Sequence, residues 1–181
     1  MKRMTLTALL LTVLLLLSAV FCACGGEETG RVTHLTATAA EIADAVRAGA
    51  DFSGDTFVSS EDTDADLVLM FNYGIETDEM YNAIEDYVLS TQTLPEYPAF
   101  FSVVRVKEGT DPAVIQSIAD AMGAAYAQYN IAQMVRYNPD GQSIAEGFTT
   151  QIYENGVVIT AYDTNGNDTV LALVDEACRG K

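Results

Sequence analysis

Cysteine and histidine are the side chains of this chain whose chemistry depends most on their surroundings, and they are few. Cys22 and Cys24 lie one residue apart at the end of a long apolar run, Cys178 lies near the C-terminus, and His34 is the only histidine. A thiol serves as a nucleophile, a metal ligand or an attachment point, whereas a Ser-His-Asp triad or a multi-histidine metal site needs histidine. The only histidine lies in or beside a stretch of linker composition, so we expect neither a triad nor a multi-histidine metal site within one chain. His34 follows a Gly- and Glu-rich stretch, so we expect it to be a solvated linker residue.

The segment that ends at the first two cysteines has the pattern of a secretory signal. Lys2 and Arg3 form a positive start, and "LTALLLTVLLLLSAVF" forms an apolar core. The apolar run is about 18 residues long, at the lower limit for a membrane-spanning helix, so an uncleaved anchor remains an alternative. The favoured interpretation is a signal peptide over residues 1–23 that is removed from the mature protein.

The end of this segment, "FCAC", resembles the lipobox of bacterial lipoproteins. There a small residue directly precedes the modified cysteine, and a Leu-like residue lies three positions before it. Ala23 precedes Cys24, whereas the bulky Phe21 precedes Cys22, so the pattern selects Cys24 and departs from the usual Leu only at Phe21. The resemblance implies cleavage before Cys24, attachment of diacylglycerol to its thiol, and a lipid anchor in the membrane.

Acidic residues dominate the charge. The chain has 9 Lys+Arg against 26 Asp+Glu, a net charge of −17, and without Lys2 and Arg3 the remainder carries 7 minus 26, or −19. Such a surface favours solubility and repels nucleic acid, which we therefore exclude as a partner. Among so many acids, no carboxylate pair for a hydrolase is singled out by the sequence.

Two acidic stretches have spacings related to calcium loops. "EDTDAD" over residues 61–66 places acids at alternate positions, and "DTNGNDT", which includes residues 163–168, places Asp and Asn in a similar way. Neither has Gly at the sixth and Glu at the twelfth position of the EF-hand pattern. We expect both to be helix N-termini, where acids complement the helix dipole. A calcium-responsive lipoprotein is a further hypothesis, beside the two given at the end of this section.

Other candidate groups have simpler interpretations. Tyr126, Tyr129 and Tyr137 could form a platform on which sugars stack, but tyrosine at helix–sheet margins is more often packing. Cys178 lies in "NDTVLALVDEACRG" at helical spacing from other apolar residues, which predicts a small buried hydrophobic residue. The sequence therefore designates no catalytic, cofactor-binding or metal-binding residue.

The rest of the chain has the pattern of a single domain. Residues 24–35 have the composition of a flexible linker after the lipidated Cys24, and residues 36–181 alternate between helical and strand patterns. The predicted order is α-α-β-β-α-β-β-α, an α+β fold in which helices pack on a face of an antiparallel four-stranded sheet. Residues 77–90 are ambiguous between helix and strand, and we expect a short helical turn followed by a strand from about residue 83.

Two elements carry more detailed predictions. Asp111 and Pro112 should start a helix whose buried face consists of Val114, Ile118, Met122, Ala125 and Tyr129. "TTQIYENGVVITAY" should be a hairpin with Asn155-Gly156 in a type I′ turn, which pairs Ile152 with Ile159 and Tyr153 with Val158.

Several stretches together resemble a family of clostridial-type lipoproteins, domain of unknown function 4358. They are the lipobox, "ADLVLMFNYGI", "EDYVLS", "FFSVVRVKEGTDPAVIQSIADAM" and "GVVITAYD", followed by a short acidic helix. The likeness is one of pattern over roughly residues 36 to 178. It implies a lipoprotein domain and brings no known activity, substrate or catalytic residue.

These observations predict a lipoprotein tethered to the outer face of a bacterial cytoplasmic membrane through Cys24. Its domain is expected to be a non-enzymatic binding or accessory module for an envelope protein or glycan. The alternative is an envelope hydrolase that uses a carboxylate pair, which a concave pocket with two convergent acids would favour.

Overall fold

The computed structural model describes residues 30–52, 54–91, 98–163 and 166–180. The predicted signal peptide, Cys24 and half of the predicted linker lie outside these residues. The helices are α1 (Ala39–Gly49), α2 (Ala65–Tyr73), α3 (Asp78–Ala83), α4 (Pro112–Tyr126), α5 (Ala132–Tyr137), α6 (Gln142–Glu146) and α7 (Asn167–Arg179). The strands are β1 (Phe57–Ser59), β2 (Ile84–Ser90), β3 (Phe100–Val106), β4 (Thr149–Tyr153) and β5 (Gly156–Ala161). A π-helical turn (Ala127–Ile131) joins α4 to α5, and a 3₁₀ turn (Pro139–Gly141) precedes α6.

The strands form one antiparallel sheet in the order β1-β2-β3-β5-β4. The α+β class and the antiparallel sheet are confirmed, but the prediction of four strands is wrong because β1 adds a fifth at the edge. Only Phe57, Val58 and Ser59 form it, too short a run for an alternating pattern to reveal. The predicted element order is also incomplete, since it lacks β1 and the short helices α5 and α6. The prediction for residues 77–90 is confirmed, with helix α3 followed directly by strand β2.

Helices cover both faces of the sheet rather than one. On one face, here called the two-helix face, α1 and α7 pack on the side chains that the central strands direct to that side. Residues of this core are Ile42, Val46, Val88, Phe101, Val103, Val158, Val170, Leu171 and Val174. On the second, the multi-helix face, α2 to α6 pack on the alternate positions. Residues of this core are Leu69, Tyr73, Met80, Leu89, Phe100, Val104, Ile118, Met122 and Ile159. Each central strand is therefore apolar on both sides, as expected of a strand covered on both faces.

Local sequence signals position the helices. Thr38 and Glu41 form a capping box at the start of α1, with the Glu41 N–H donating to Thr38 Oγ1 over 3.2 Å. The Asp111 side chain caps α4, and Pro112 takes its first turn. Gly74 ends α2 with a φ of +68°, a conformation that glycine adopts without the steric cost of a side chain.

A charged side chain fastens α1 to the sheet. Arg105 lies on the opposite side of β3 from Val104 and Val106, as the alternation predicted, but it is buried against the start of α1. Its guanidinium donates to Asp86 Oδ1 over 2.9 Å and to the Ala37 carbonyl over 3.0 Å. The same Asp86 oxygen accepts from the Ala39 N–H over 3.2 Å. These charge-assisted bonds join two strands and a helix N-terminus.

The predicted register of the β4–β5 hairpin is wrong. Ile152 pairs with Val157 and Tyr153 pairs with Gly156, so Glu154 and Asn155 form the loop. The Asn155 side chain is used elsewhere, accepting from the Leu35 N–H over 2.7 Å and donating to the Leu35 carbonyl over 3.0 Å. Gly156 is in the strand, where a Cβ would lie 2.6 Å from the Val104 carbonyl oxygen. Close backbone approach, rather than a turn with positive φ, therefore accounts for this glycine.

Candidate functional site

The residues that the sequence analysis selected occupy separate places. Cys24 lies outside the described residues. Cys178 is 4% exposed in the core between α7 and the sheet, which confirms it as a buried apolar residue. The His34 side chain is half-exposed, with Nδ1 3.8 Å from Glu154 Oε2. In the ranges that the structure covers, no helix is long and apolar enough to span a bilayer.

The acids of the first calcium-like stretch accept hydrogen bonds from neighbouring protein groups. Asp62 accepts from both the N–H and the hydroxyl of Ser59, and these bonds lower the pKa of its carboxyl. Asp66 accepts from the hydroxyls of Tyr81 and Tyr87, each over 2.8 Å. Asp168, in the second stretch, accepts from Arg31 over 3.3 Å. Across the part of the chain that the structure describes, three or more potential metal ligands do not converge.

The most enclosed described cleft is a pocket of about 260 Å³ on the multi-helix face, between the end of α2 and the π-helical turn. Aromatic rings and uncharged polar groups line it. Its lining residues are Phe71, Asn72, Tyr73, Ser90, Thr91, Phe100, Tyr126, Tyr129, Asn130 and Gln133. None of these carries a formal charge at neutral pH, although the chain as a whole is strongly acidic. The described lining of the pocket is therefore uncharged, on a protein that is acidic as a whole.

The π-helical turn forms one wall of this pocket. The sequence predicted that Tyr129 continues the buried face of α4, but its side chain is 52% exposed and lies at the pocket. A π-helical turn inserts one residue per turn and so rotates the following side chains by about 100° relative to a regular helix. Tyr129 and Asn130 are moved to the pocket by this rotation, whereas Met122 and Ala125 stay in the core. Such turns recur at functional sites.

A buried hydrogen-bond network lies at the floor of this pocket. The pairing of β2 with β3 includes Val88 with Val103, and beyond it the Ser90 N–H donates to Ser102 Oγ over 2.9 Å. The Tyr73 hydroxyl donates to the Ser90 carbonyl over 2.7 Å and lies 2.6 Å from Ser102 Oγ. Because a hydroxyl has one proton, Ser102 is the donor to Tyr73 in this arrangement. Burial is the main reason that the pKa of Tyr73 is well above its usual value.

Tyr126 is the unsatisfied group of the pocket. It is 2% exposed, and its ring packs against two others. The ring centroid lies 4.6 Å from that of Phe100 and 4.8 Å from that of Phe148. Within the described residues its hydroxyl makes no hydrogen bond, and burial raises its pKa well above the usual value. Because this hydroxyl borders the pocket and is not fully shielded from solvent, water or a ligand in the pocket can satisfy it.

Asp55 lies beyond the floor, at the edge of the sheet. It accepts from the Ser90 hydroxyl and from the Thr56 N–H, the latter over 2.8 Å. Burial nevertheless raises its pKa to about 7. The same aspartate lines a shallower cleft of about 700 Å³ beside α1, together with Asp44, Arg47 and Asp51. A carboxyl that titrates near neutral pH thus separates an uncharged pocket from an acidic cleft.

Sequence reasoning anticipated part of this site. Tyr126 and Tyr129 were both candidates for a sugar platform, and both line the pocket, whereas Tyr137 does not. Asp55, Ser90 and Ser102 were missed. Ser102 left a signal, because a serine within "FFSVV" is a polar residue in a central strand and needs a buried partner. No signal in the sequence pointed to Asp55, because it is one of many acidic residues.

Comparisons with protein-family models, with curated proteins and with solved structures gave no match for this chain.

Proposed function

We propose that this protein is a lipoprotein, anchored through Cys24 to the outer face of a bacterial cytoplasmic membrane, whose domain is a non-enzymatic binding module of the cell envelope. The single observation behind the binding role is the hydroxyl of the buried residue Tyr126, which borders an aromatic pocket and has no hydrogen-bond partner among the described residues. The resemblance to the clostridial-type lipoprotein family belongs to the same proposal.

The anchor is supported by the sequence pattern around Cys24. The apolar run, Ala23 before the cysteine and the polar residues after it are what a lipidation signal requires. An acidic domain with net charge −19 would be repelled by anionic headgroups, so a covalent lipid explains how it could remain at a membrane.

Metabolic palmitate labelling tests the anchor. The wild type and Cys22→Ser should take up label, and Cys24→Ser should not, with a lipid-sized mass on the first peptide of the mature protein. Label that survives in Cys24→Ser, or a wild type that retains residues 1–23 without label, would overturn the anchor.

Binding rather than catalysis is supported by the residue types of the pocket. General acid–base catalysis uses histidine, carboxyl, amine, thiol or tyrosine groups. Of these, the described lining has only tyrosines, and burial raises the pKa of Tyr73 and of Tyr126 well above the usual value, so both stay protonated near neutral pH. Amide and aromatic side chains orient a ligand without reacting with it.

Co-sedimentation of the full-length chain with purified envelope fragments tests this role. We expect Tyr126→Phe to reduce binding by about fivefold, the worth of one hydrogen bond. Tyr137→Phe is the matched control because Tyr137 is 57% exposed and outside the pocket. Binding that is equal in all three proteins would contradict a role for the pocket.

The alternative function, an envelope hydrolase with a carboxylate pair, would use the cleft beside α1. The observation in its favour is that Asp55, with a pKa near 7, shares that cleft with Asp44 and Asp51, since a protonated and an ionised carboxyl are the pair that glycosidases need. Release of reducing ends from envelope glycan by the wild type and not by Asp55→Asn would establish the hydrolase and displace the binding module.

A further inference from the structure

We propose that the pocket between α2 and the π-helical turn binds one ring of a neutral saccharide. This inference rests on the proposed function and deepens it by naming the class of ligand. It combines four properties of the pocket: its hydrogen-bonding groups, its exposed rings, its lack of charge and its size.

The polar groups of the lining match sugar hydroxyls. Asn72, Asn130 and Gln133 each offer an amide that both donates and accepts, and a sugar hydroxyl does the same. The Tyr126 hydroxyl, which has no hydrogen-bond partner among the described residues, adds a fourth group at the pocket. A ligand rich in hydroxyls satisfies all four, whereas an apolar ligand would leave them desolvated and unpaired.

The rings of the lining match the apolar face of a sugar. The Phe71 side chain is 71% exposed and Tyr129 is 52% exposed, an unusual exposure for two rings that border one pocket. The C–H groups on one side of a sugar ring carry partial positive charge and pack on the negative face of an aromatic ring. Exposed rings beside amides therefore fit a ligand that is polar at its rim and apolar on its face.

The charge and the size of the pocket narrow the class of ligand further. The described lining has no cation to pair with an anion, Asp55 lies beyond the pocket floor, and the chain carries a net charge of −17, so an anionic sugar would be repelled. The volume of about 260 Å³ is below the range of about 300–1,000 Å³ for drug-sized ligands, so one ring is enclosed and the rest of a chain stays outside.

Titration calorimetry on the full-length chain tests the ligand class, in a zwitterionic detergent because sugar-headed detergents would compete. The probes are the trisaccharide of N-acetylglucosamine, maltotriose and trigalacturonic acid. We expect at least one neutral trisaccharide to bind with a dissociation constant below about 1 mM and the uronic acid not to bind. Phe71→Ala and Tyr129→Ala should each weaken binding by about fivefold, and so should Tyr126→Phe. Tyr137→Ala should leave affinity unchanged.

Three results would overturn the inference: no heat from either neutral trisaccharide, equal binding of the uronic acid, or a neutral-sugar affinity that the three pocket variants do not alter. Failure of the ligand class is distinguishable from failure of the proposed function. If Tyr126→Phe still weakens envelope binding while neither neutral trisaccharide binds, the ligand class alone is wrong. If envelope binding does not depend on Tyr126, the proposed binding role is wrong as well.

Discussion

The two faces of the sheet bury similar apolar side chains but are closed in different ways. On the two-helix face, two regular helices cover the sheet, and Arg105 with Asp86 ties the start of α1 to two strands. On the multi-helix face, five helices and a π-helical turn leave a pocket between α2 and the π-helical turn. A regular amphipathic helix covers a sheet completely, whereas an irregular one rotates its side chains out of register and exposes them. In this protein irregular packing accompanies the candidate site.

The α2 helix shows the same contrast within one element. Leu69 and Tyr73 are buried in the core, but Leu67 is 50% exposed and Phe71 is 71% exposed. In α1, on the two-helix face, the large apolar side chains Ile42 and Val46 are both buried. Large exposed apolar side chains next to a pocket are a signature of binding surfaces.

The largest predicted effect is that of removing Arg105, which connects the start of α1 to the sheet on the two-helix face. Arg105→Ala removes the cation and leaves the Asp86 carboxylate partly buried with its charge unpaired, so we expect a loss of about 3 kcal/mol in the free energy of unfolding. Urea denaturation followed by circular dichroism measures it. Arg47→Ala is the control, because Arg47 lies 3.9 Å from Asp44 at the surface and such pairs contribute little. Equal losses in the two variants would show that Arg105 is not a structural tie.

The next prediction compares one buried hydroxyl from each face. Ser102→Ala leaves the Ser90 N–H without its acceptor on the multi-helix face and should cost about 2 kcal/mol. Thr160 is fully buried on β5, and its hydroxyl has no partner among the described residues, so Thr160→Val should stabilise the protein by about 1 kcal/mol. Thermal unfolding of the two variants beside the wild type gives the signs. A loss in Thr160→Val as large as that in Ser102→Ala would contradict the assigned hydrogen bonds.

The smallest effect concerns pH. The pKa of Asp55 is raised from 3.8 to about 7, so the folded state binds its proton more tightly than the unfolded state does. The contribution of Asp55 to stability is therefore present below pH 4 and is lost as the pH rises to 7. Asp55→Asn mimics the protonated acid, and at pH 8 it should be more stable than the wild type by about 1 kcal/mol, a value reduced for partial solvent exposure. At pH 4 the two should be equal.

Melting temperatures of both proteins measured from pH 4 to pH 8 test this sign. The difference between them is the quantity to follow, because loss of net negative charge at low pH affects both alike. A difference that does not vary with pH would mean that Asp55 titrates near its usual value in the folded protein.

Local signals were sufficient for most of the helices. The capping box of Thr38 and Glu41, and the Asp111-Pro112 start of α4, depend on neighbours within four residues, so the sequence predicts them directly. Non-local features were not predicted. Strand β1 exists because Phe57 pairs with Ser90, and the hairpin register is set by Leu35, 120 residues away from Asn155.

The candidate site divides in the same way. Residue types placed Tyr126 and Tyr129 among the groups that could contact a ligand, but periodicity alone assigned Tyr129 to the core. The π-helical turn that exposes Tyr129 consists of Ala, Gln, Tyr, Asn and Ile, so no Gly or Pro marks its position in the sequence. Tertiary packing decides where an extra residue is accommodated in a helix, so the pattern could not locate it.

By itself, the sequence determined the α+β class, the antiparallel sheet, the helix starts and the burial of Cys178, because these follow from hydrophobic period and from hydrogen bonds between near neighbours. Only the tertiary structure decided which polar groups are buried and which remain without a partner. Ser102 finds Ser90 and Tyr73 across strand and helix, while the Tyr126 hydroxyl finds none in the described chain. The cost of burying a polar group depends on partners that are distant in the sequence, and only the folded chain brings them together or leaves them apart.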